Sequence, residues 1–265
     1  MGYEAGAVRR LHRFTAETDA AYLLPHLKAG MRLLDIGCGP GNISVGLASA
    51  VDPGEVYGID MAVSQVELAT AAVREAGLSN ARFQVADALR LPFPDHHFDA
   101  VHCHSILMHI PDTMAVLAEI KRVLKSGGIL GAREPILDNA FIEPDIGNLK
   151  RVFAMFTAVL NSKNGHSSNG HSSTGKELRT RFSEAGFAGV EATGELEYWG
   201  SPSSVANFAA SLSELFGPTW VDPAIAHGIE SKEEFDEWRK AAIVWKDHPG
   251  AFAAWPWGEA IARKP

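Results

Sequence analysis

The chain has 265 residues, 46% of them apolar, which is room for one domain with a large core or one domain plus a cap. Its formal net charge is −8, with Lys and Arg scattered, which excludes the basic stripe a nucleic-acid partner requires. The two cysteines, Cys38 and Cys103, exclude a disulfide framework, and no apolar run is long enough to span a membrane.

Residues 1–30 read as a polar arm followed by a helix. The arm carries Arg9, Arg10, His12 and Arg13, read as a solvated face. Ala20, Leu23, Leu24 and Leu27 form the helix's apolar stripe, Pro25 interrupts it and Gly30 ends it. The first six residues hold no apolar signal core, so the expected location is the cytoplasm.

Met31 to Ile36 has the composition of a buried parallel strand. Gly37, Gly39 and Gly41 follow at every second position, and Ile43 to Ala48 opens a helix. Strand, glycine turn and helix begin a nucleotide-binding βαβ unit: glycine permits φ > 0, and a helix N-terminus offers free N–H groups. A dinucleotide fingerprint would place its third glycine or an alanine at position 42, which is Asn42. An NAD-dependent oxidoreductase is therefore disfavoured.

Glu55 to Ile59 is the second strand, and Asp60 at its end is spaced from the glycines by about the 20 residues expected of a ribose-binding acid. Ser64 and Glu67 have capping-box spacing, with Val66, Ala69, Val73 and Ala76 as a buried stripe and Gly77 as the stop. Ala81 to Val85 is strand three, followed by Asp87. Strand four is Ala100 to Cys103, with His104 and Ser105 at the carboxyl end where open α/β sheets bind ligands. Asp112 starts a helix with Met114, Leu117, Ile120 and Leu124 inward, and Ile129 to Glu134 is strand five.

Taken together, Asp35-Ile36-Gly37-Cys38-Gly39-Pro40-Gly41, Leu91-Pro92-Phe93-Pro94-Asp95 with Phe98-Asp99-Ala100-Val101, and Val123-Leu124-Lys125-Ser126-Gly127-Gly128-Ile129-Leu130 resemble, in order, the motifs of class I S-adenosylmethionine (SAM) dependent methyltransferases of the ubiquinone-biosynthesis, small-molecule type. The resemblance covers roughly residues 20–135, and more loosely 175–265. It implies an α/β, Rossmann-like, mostly parallel seven-stranded sheet in the order 3-2-1-4-5-7-6, with the last strand antiparallel, helices on both faces and a helical lid. It implies SAM as cofactor, held by Asp35, Gly37, Cys38, Gly39, Gly41, Asp60, Met61, Gln65, Asp87, Ala88, His104 and Ser105. Asp87 would receive the adenine amino group, and its neighbour's N–H a ring nitrogen. The competing reading of Asp87 is a helix N-cap or a turn residue.

Beyond residue 138 the match loosens. A helix over about 145–160 carries Ile146, Leu149, Val152, Phe153, Phe156, Val159 and Leu160. Residues 161–175 contain Asn-Gly-His-Ser-Ser twice and read as a flexible loop, in which His166 and His171 are not metal ligands. Val190 to Trp199 is strand six. Helices at Pro202 to Phe216 and after Ser231 then separate it from the last strand, Phe252 to Ala262. The expected organisation is a single domain, residues 1–265, with lid segments 1–17, 138–160 and 200–248. Phe153, Phe156, Phe208, Trp238 and Trp245 are expected to help line an apolar acceptor pocket.

The expected chemistry is in-line methyl transfer to a small, largely apolar metabolite, without a metal. His104 and His109 are the histidines placed to assist deprotonation. The competing readings are that His104 touches the cofactor through its backbone and that His109 is packed at a helix start. His104-Ser105-Ile106-Leu107 stands where amino-methylating DNA and glutamine enzymes carry Asn/Asp-Pro-Pro-aromatic. A SAM-binding protein that does not methylate, a pericyclase-like catalyst or a regulator, would carry the same motifs.

Overall fold

The computed structural model describes residues 13–163 and 173–265. Arg9, Arg10, His12 and residues 164–172 of the tandem Asn-Gly-His-Ser-Ser repeat lie outside them. The chain divides into two compact units. The first comprises residues 13–134, 175–193 and 258–265, and the second comprises 135–163, 173–174 and 194–257.

Eight strands form one sheet: β1 (Arg32–Ile36), β2 (Glu55–Asp60), β3 (Ala81–Val85), β4 (Phe98–His104), β5 (Leu124–Pro135), β6 (Phe141–Glu143), β7 (Ala188–Trp199) and β8 (Phe252–Arg263). Their order is β3-β2-β1-β4-β5-β8, with β6 and β7 both pairing β8. The first five are parallel, in register Ile36↔Ile59, Ile36↔Cys103, Asp60↔Val85 and His104↔Arg133. β8 runs against β5: Gly127 N–H donates to Lys264 O, Lys264 N–H to Gly128 O, and farther along Ile136 N–H to Pro256 O. β6 then continues along β8, antiparallel, with Phe141 opposite Ala254. This is the expected topology with one short strand, β6, added.

The helices are α1 (Ala16–Asp19), α2 (Asn42–Val51), α3 (Val63–Glu75), α4 (Thr113–Val123), α5 (Arg151–Lys163), α6 (Thr174–Glu184), α7 (Pro202–Leu215), α8 (Pro218–Ala226) and α9 (Lys232–Lys246). Several differ from expectation for identifiable reasons. In place of the anticipated helix over 20–27 the chain has a 3-10 turn at Leu24–His26, where Pro25 has no N–H with which to continue an α-helix; the short α1, capped by Thr15, precedes it. Ser64 caps nothing: the chain leaves β2 so abruptly that Ala62 is the N-cap, and Ser64 lies inside the first turn. That shifts the buried face of α3 to Gln65, Ala69 and Val73, and leaves Ala76 exposed. On α4 the buried residues are Thr113, Val116, Leu117, Ile120 and Val123, while Met114 is exposed. α9 does start as its Ser231 signal indicates, with the hydroxyl accepting Glu234 N–H. α8, opened by Pro218, was not anticipated.

Each unit has its own apolar core. In the first, Leu34, Ile36, Val101 and Leu130 pack with Val116, Ile120, Leu178 and Phe182. In the second, Val152, Phe153, Phe156, Phe208, Trp238 and Trp245 pack together, each 5% exposed or less. Trp245 also donates its indole N–H to Glu143 O at 2.9 Å. The five aromatic residues expected to line a pocket are therefore core of the second unit.

Candidate cofactor site

The glycine turn sits between β1 and α2. Gly37, Gly39 and Gly41 have φ of 72°, 52° and 85°, where a side chain is strained. Two of them are also crowded. A Cβ on Gly37 would lie 2.9 Å from the Ile106 side chain, and one on Gly41 would lie 2.7 Å from the Ala69 backbone. The Gly37 and Cys38 N–H groups donate to Ile59 O, tying the turn to the end of β2.

Asp35 lies beneath this turn rather than on its surface. It is 2% exposed, and its carboxylate accepts the Ser44 hydroxyl at 2.5 Å and faces His102 Nδ1 at 2.8 Å. Both oxygens are engaged inside the protein, so Asp35 ties β1 to α2 and β4. Cys38 is buried too, and burial together with Asp35 and Asp60 pushes its thiol pKa up, which keeps it protonated.

Asp60 stands at the rim. One carboxylate oxygen accepts Gly39 N–H at 3.1 Å and the other Ala62 N–H at 2.9 Å. Burial raises its pKa, against these backbone donors. Each oxygen keeps acceptor capacity for a hydroxyl. Asp87 is exposed and accepts Leu89 N–H at 2.9 Å, the bond of a turn aspartate, and Ala88 beside it is buried. Around these two acids lie large apolar side chains left in solvent: Met61 75%, Val63 60%, Val85 49% and Leu89 42% exposed. Met61 directly follows β2 and Val63 opens α3, while Val85 ends β3 and Leu89 lies shortly after it. Gln65, in the first turn of α3, is fully buried, and neither its amide oxygen nor its nitrogen has a hydrogen-bond partner.

At the end of β4, Ser105 has φ of 52° and Ile106 begins the 3-10 turn Leu107–His109. His104 is 9% exposed, packed 4.6 Å from the Phe14 ring, with Nε2 3.7 Å from Asp19 Oδ1. Burial lowers its pKa, and Asp19 acts in the opposite sense. The Asp19 carboxylate is itself held down to about 2: burial would raise it, but His104, the Thr18 hydroxyl and Thr15 N–H outweigh that. Arg133, buried on β5, joins Glu259 at 2.8 Å and approaches Asp19 at 3.8 Å. Residues 13–19 are thus fastened over the carboxyl end of β4, and Arg13 lies over the Phe14 ring. His109 is half-buried on its turn.

A glycine cradle, a rim carboxylate with spare acceptor capacity, solvent-exposed apolar side chains and an orphaned buried amide fit an adenosine-bearing ligand. A sequence profile described as a methyltransferase domain matches residues 27–186 of this chain. The chain belongs to the class I SAM-dependent methyltransferases. Demethylmenaquinone methyltransferase of Geobacillus kaustophilus is 33% identical over 180 residues, covering 63% of this chain and 74% of that protein. The crystal structure of YcgJ from Bacillus subtilis aligns with a TM-score of 0.60 at 20% identity, over 94% of this chain and 99% of that one. That of the [4+2]-cyclase SpnF aligns with a TM-score of 0.53 at 24% identity, over 97% and 80%. With other curated relatives the match spans about half of their length. The cofactor of this methyltransferase family is SAM.

Among the described residues of this methyltransferase-family chain, no group of His, Cys, Asp and Glu is arranged to hold a metal, and no helix is long and apolar enough to cross a membrane. A shallow groove of about 350 Å³ lined by Met114, Lys121, Arg122 and Lys264 contains none of the site residues. Lys121 and Lys264 spend their ammonium groups there on backbone carbonyls. Sequence reasoning missed Asp19, Ser44, His102, Arg133 and Glu134. The available signal was the charged pair Arg133-Glu134 ending an otherwise apolar strand.

Proposed function

We propose that this chain transfers a methyl group from SAM to a small, largely apolar metabolite. The observation that carries the reading is the Asp60 rim: a carboxylate braced by Gly39 and Ala62, beside exposed Met61, Val63, Val85 and Leu89. Asp60 would take the ribose hydroxyls, and the four apolar side chains the faces of the adenine. Asp87 would use its remaining carboxylate capacity, and Ala88 its N–H, for the adenine edge. Gly37, Gly39 and Gly41 admit close approach of the cofactor's backbone-facing side, and Ser105 borders it from β4. Gln65 would find in the cofactor, or in a water between them, the partner it lacks.

Bound SAM supplies a methyl group on a sulfonium, transferred in line to a nucleophile. The protein's share is alignment, worth roughly 7–11 kcal/mol when two reactants are held in near-attack geometry. Burial keeps the His104 imidazole neutral, the state a base needs, yet the ring is packed on Phe14 and faces Asp19. We assign His104 to fastening residues 13–19, and keep His109 as the second candidate for accepting a proton. Acceptor choice is assigned to the second unit, most of which falls outside the motifs that read as methyltransferase.

Calorimetry with S-adenosylhomocysteine (SAH) and with NADH tests the reading. SAH should bind and NADH should not, and SAM should be consumed with a member of an apolar phenol, quinol and amine panel. No heat with SAH overturns the cofactor assignment. SAH binding with no methyl transfer to any acceptor favours the non-methylating alternative, in line with the likeness to a cyclase.

A further inference from the structure

We propose that Glu134 is a positioning residue of the cofactor site, holding the turn after β4 closed against the glycine loop. This rests on the SAM-site reading above. Glu134 lies at the carboxyl end of β5 and is fully buried. Its Oε1 accepts the N–H groups of Ile106 at 2.9 Å and Leu107 at 2.8 Å, and its Oε2 accepts Met108 N–H at 3.2 Å. These are the leading donors of the 3-10 turn Leu107–His109, whose own N-cap residue, Ile106, makes no side-chain capping bond. A neighbouring strand thus supplies the acceptor that the local sequence does not.

The turn held this way needs holding. Ser105, immediately before it, sits at φ 52°, a region costly for a residue with a side chain. It is pinned on one side by its N–H donating to Arg133 O at 2.9 Å, and on the other by the three bonds to Glu134. The consequence reaches the cofactor site through Ile106, whose side chain lies about 3 Å from where a Gly37 Cβ would be. Releasing the turn frees Ile106 to move against the glycine loop. A residue kept only for packing would not be a carboxylate here, since a buried carboxylate is costly unless hydrogen bonded.

The three donors also make the clamp sensitive to the proton on Glu134. Burial pushes its pKa up to about 7, against the three N–H groups. The charged and titratable groups that act on it are Arg181 of α6, the Tyr22 hydroxyl ahead of β1 and the Cys103 thiol of β4. Of these, Arg181 favours the carboxylate, and burial keeps Tyr22 and Cys103 neutral. Protonation turns one Glu134 oxygen into a hydroxyl, a donor and a poorer acceptor than a carboxylate oxygen, so the clamp weakens as pH falls through neutrality.

The test is SAH affinity by calorimetry from pH 6 to 8.5 on the full chain, with melting curves, for wild type, Glu134→Gln and Glu134→Ala. Wild type should bind several-fold more weakly at pH 6 than at pH 8. Glu134→Gln retains one acceptor oxygen, and should bind a few-fold more weakly than wild type at pH 8 with that slope removed. Glu134→Ala should lose at least tenfold. The inference is overturned if Glu134→Gln keeps wild-type affinity and slope, or if folded Glu134→Ala binds within twofold of wild type. Should Glu134→Ala not fold, the wild-type slope and its loss in Glu134→Gln decide. If wild type binds no SAH, the cofactor reading and this inference fall together. If wild type binds and the variants match it, only this inference falls.

Discussion

Gly39 donates its backbone N–H to the Asp60 carboxylate at 3.1 Å, so the glycine turn after β1 and the acid ending β2 are one rigid piece. The same carboxylate also takes Ala62 N–H and sets where α3 begins. Asp60→Ala should therefore do two things. It should remove the acceptor assigned to the ribose, at about 1–3 kcal/mol of SAH affinity, and it should loosen the turn. Asp60→Asn, which keeps one acceptor oxygen, should fall between wild type and Asp60→Ala. An unchanged SAH dissociation constant in both variants would take Asp60 out of the site.

Gly41→Ala should be damaging from two independent sources. The φ of 85° costs a side chain about 1–2 kcal/mol, and the new Cβ meets the Ala69 backbone at 2.7 Å. Ala69→Gly in the same chain removes the clash with the Ala69 methyl group but leaves the one with its backbone, and should restore little. Melting temperature and SAH affinity of the single and double variants read this directly. Full restoration in the double variant would show that backbone strain at Gly41 is negligible.

The fastening of residues 13–19 predicts an acid limb. The Asp19 carboxyl is held at about 2, below its usual 3.8. A depressed folded-state pKa gives stability that is present above pH 3.8 and lost as pH falls towards 2. The span corresponds to about 2 kcal/mol. Asn at position 19 cannot titrate, so the Asp19→Asn variant should be less stable than wild type at neutral pH and approach it below pH 3. Parallel stability curves for the two proteins across pH 2–6, by urea denaturation, would contradict the pairing of Asp19 with His104 and Arg133.

Phe156 separates the pocket and core readings of the second unit. It is 5% exposed and meets Trp220 edge-on, with ring centroids 4.8 Å apart. Phe156→Ala should cost about 3–5 kcal/mol of stability by leaving a cavity. SAH affinity of the folded protein should stay within twofold. A variant of wild-type stability with a changed acceptor preference would restore Phe156 to the pocket.

Much of the first unit could be read from local sequence. An apolar run ending in Ile36, glycines at every second position and an acid about 20 residues on define strand, turn and rim because each acts through its own backbone geometry. Ser231 and Gly77 likewise marked helix ends by short-range bonds and a positive φ of 71°. What tertiary structure alone decided is where each carboxylate goes. Asp35 and Asp60 look alike as acids at strand ends, yet one meets the Ser44 hydroxyl and the His102 ring, and the other accepts the backbone N–H groups of Gly39 and Ala62. Local sequence shows Glu134 as a charge ending a strand but not what it binds, and Asp19 gives no local signal, because their partners lie 26–28 residues back for Glu134 and 85 residues on, at His104, for Asp19. The aromatic stripes of the second unit were visible as helical periodicity, but periodicity records which face is apolar and not what covers it. Phe156, Trp238 and Trp245 are buried in one core, and only the packing could show that.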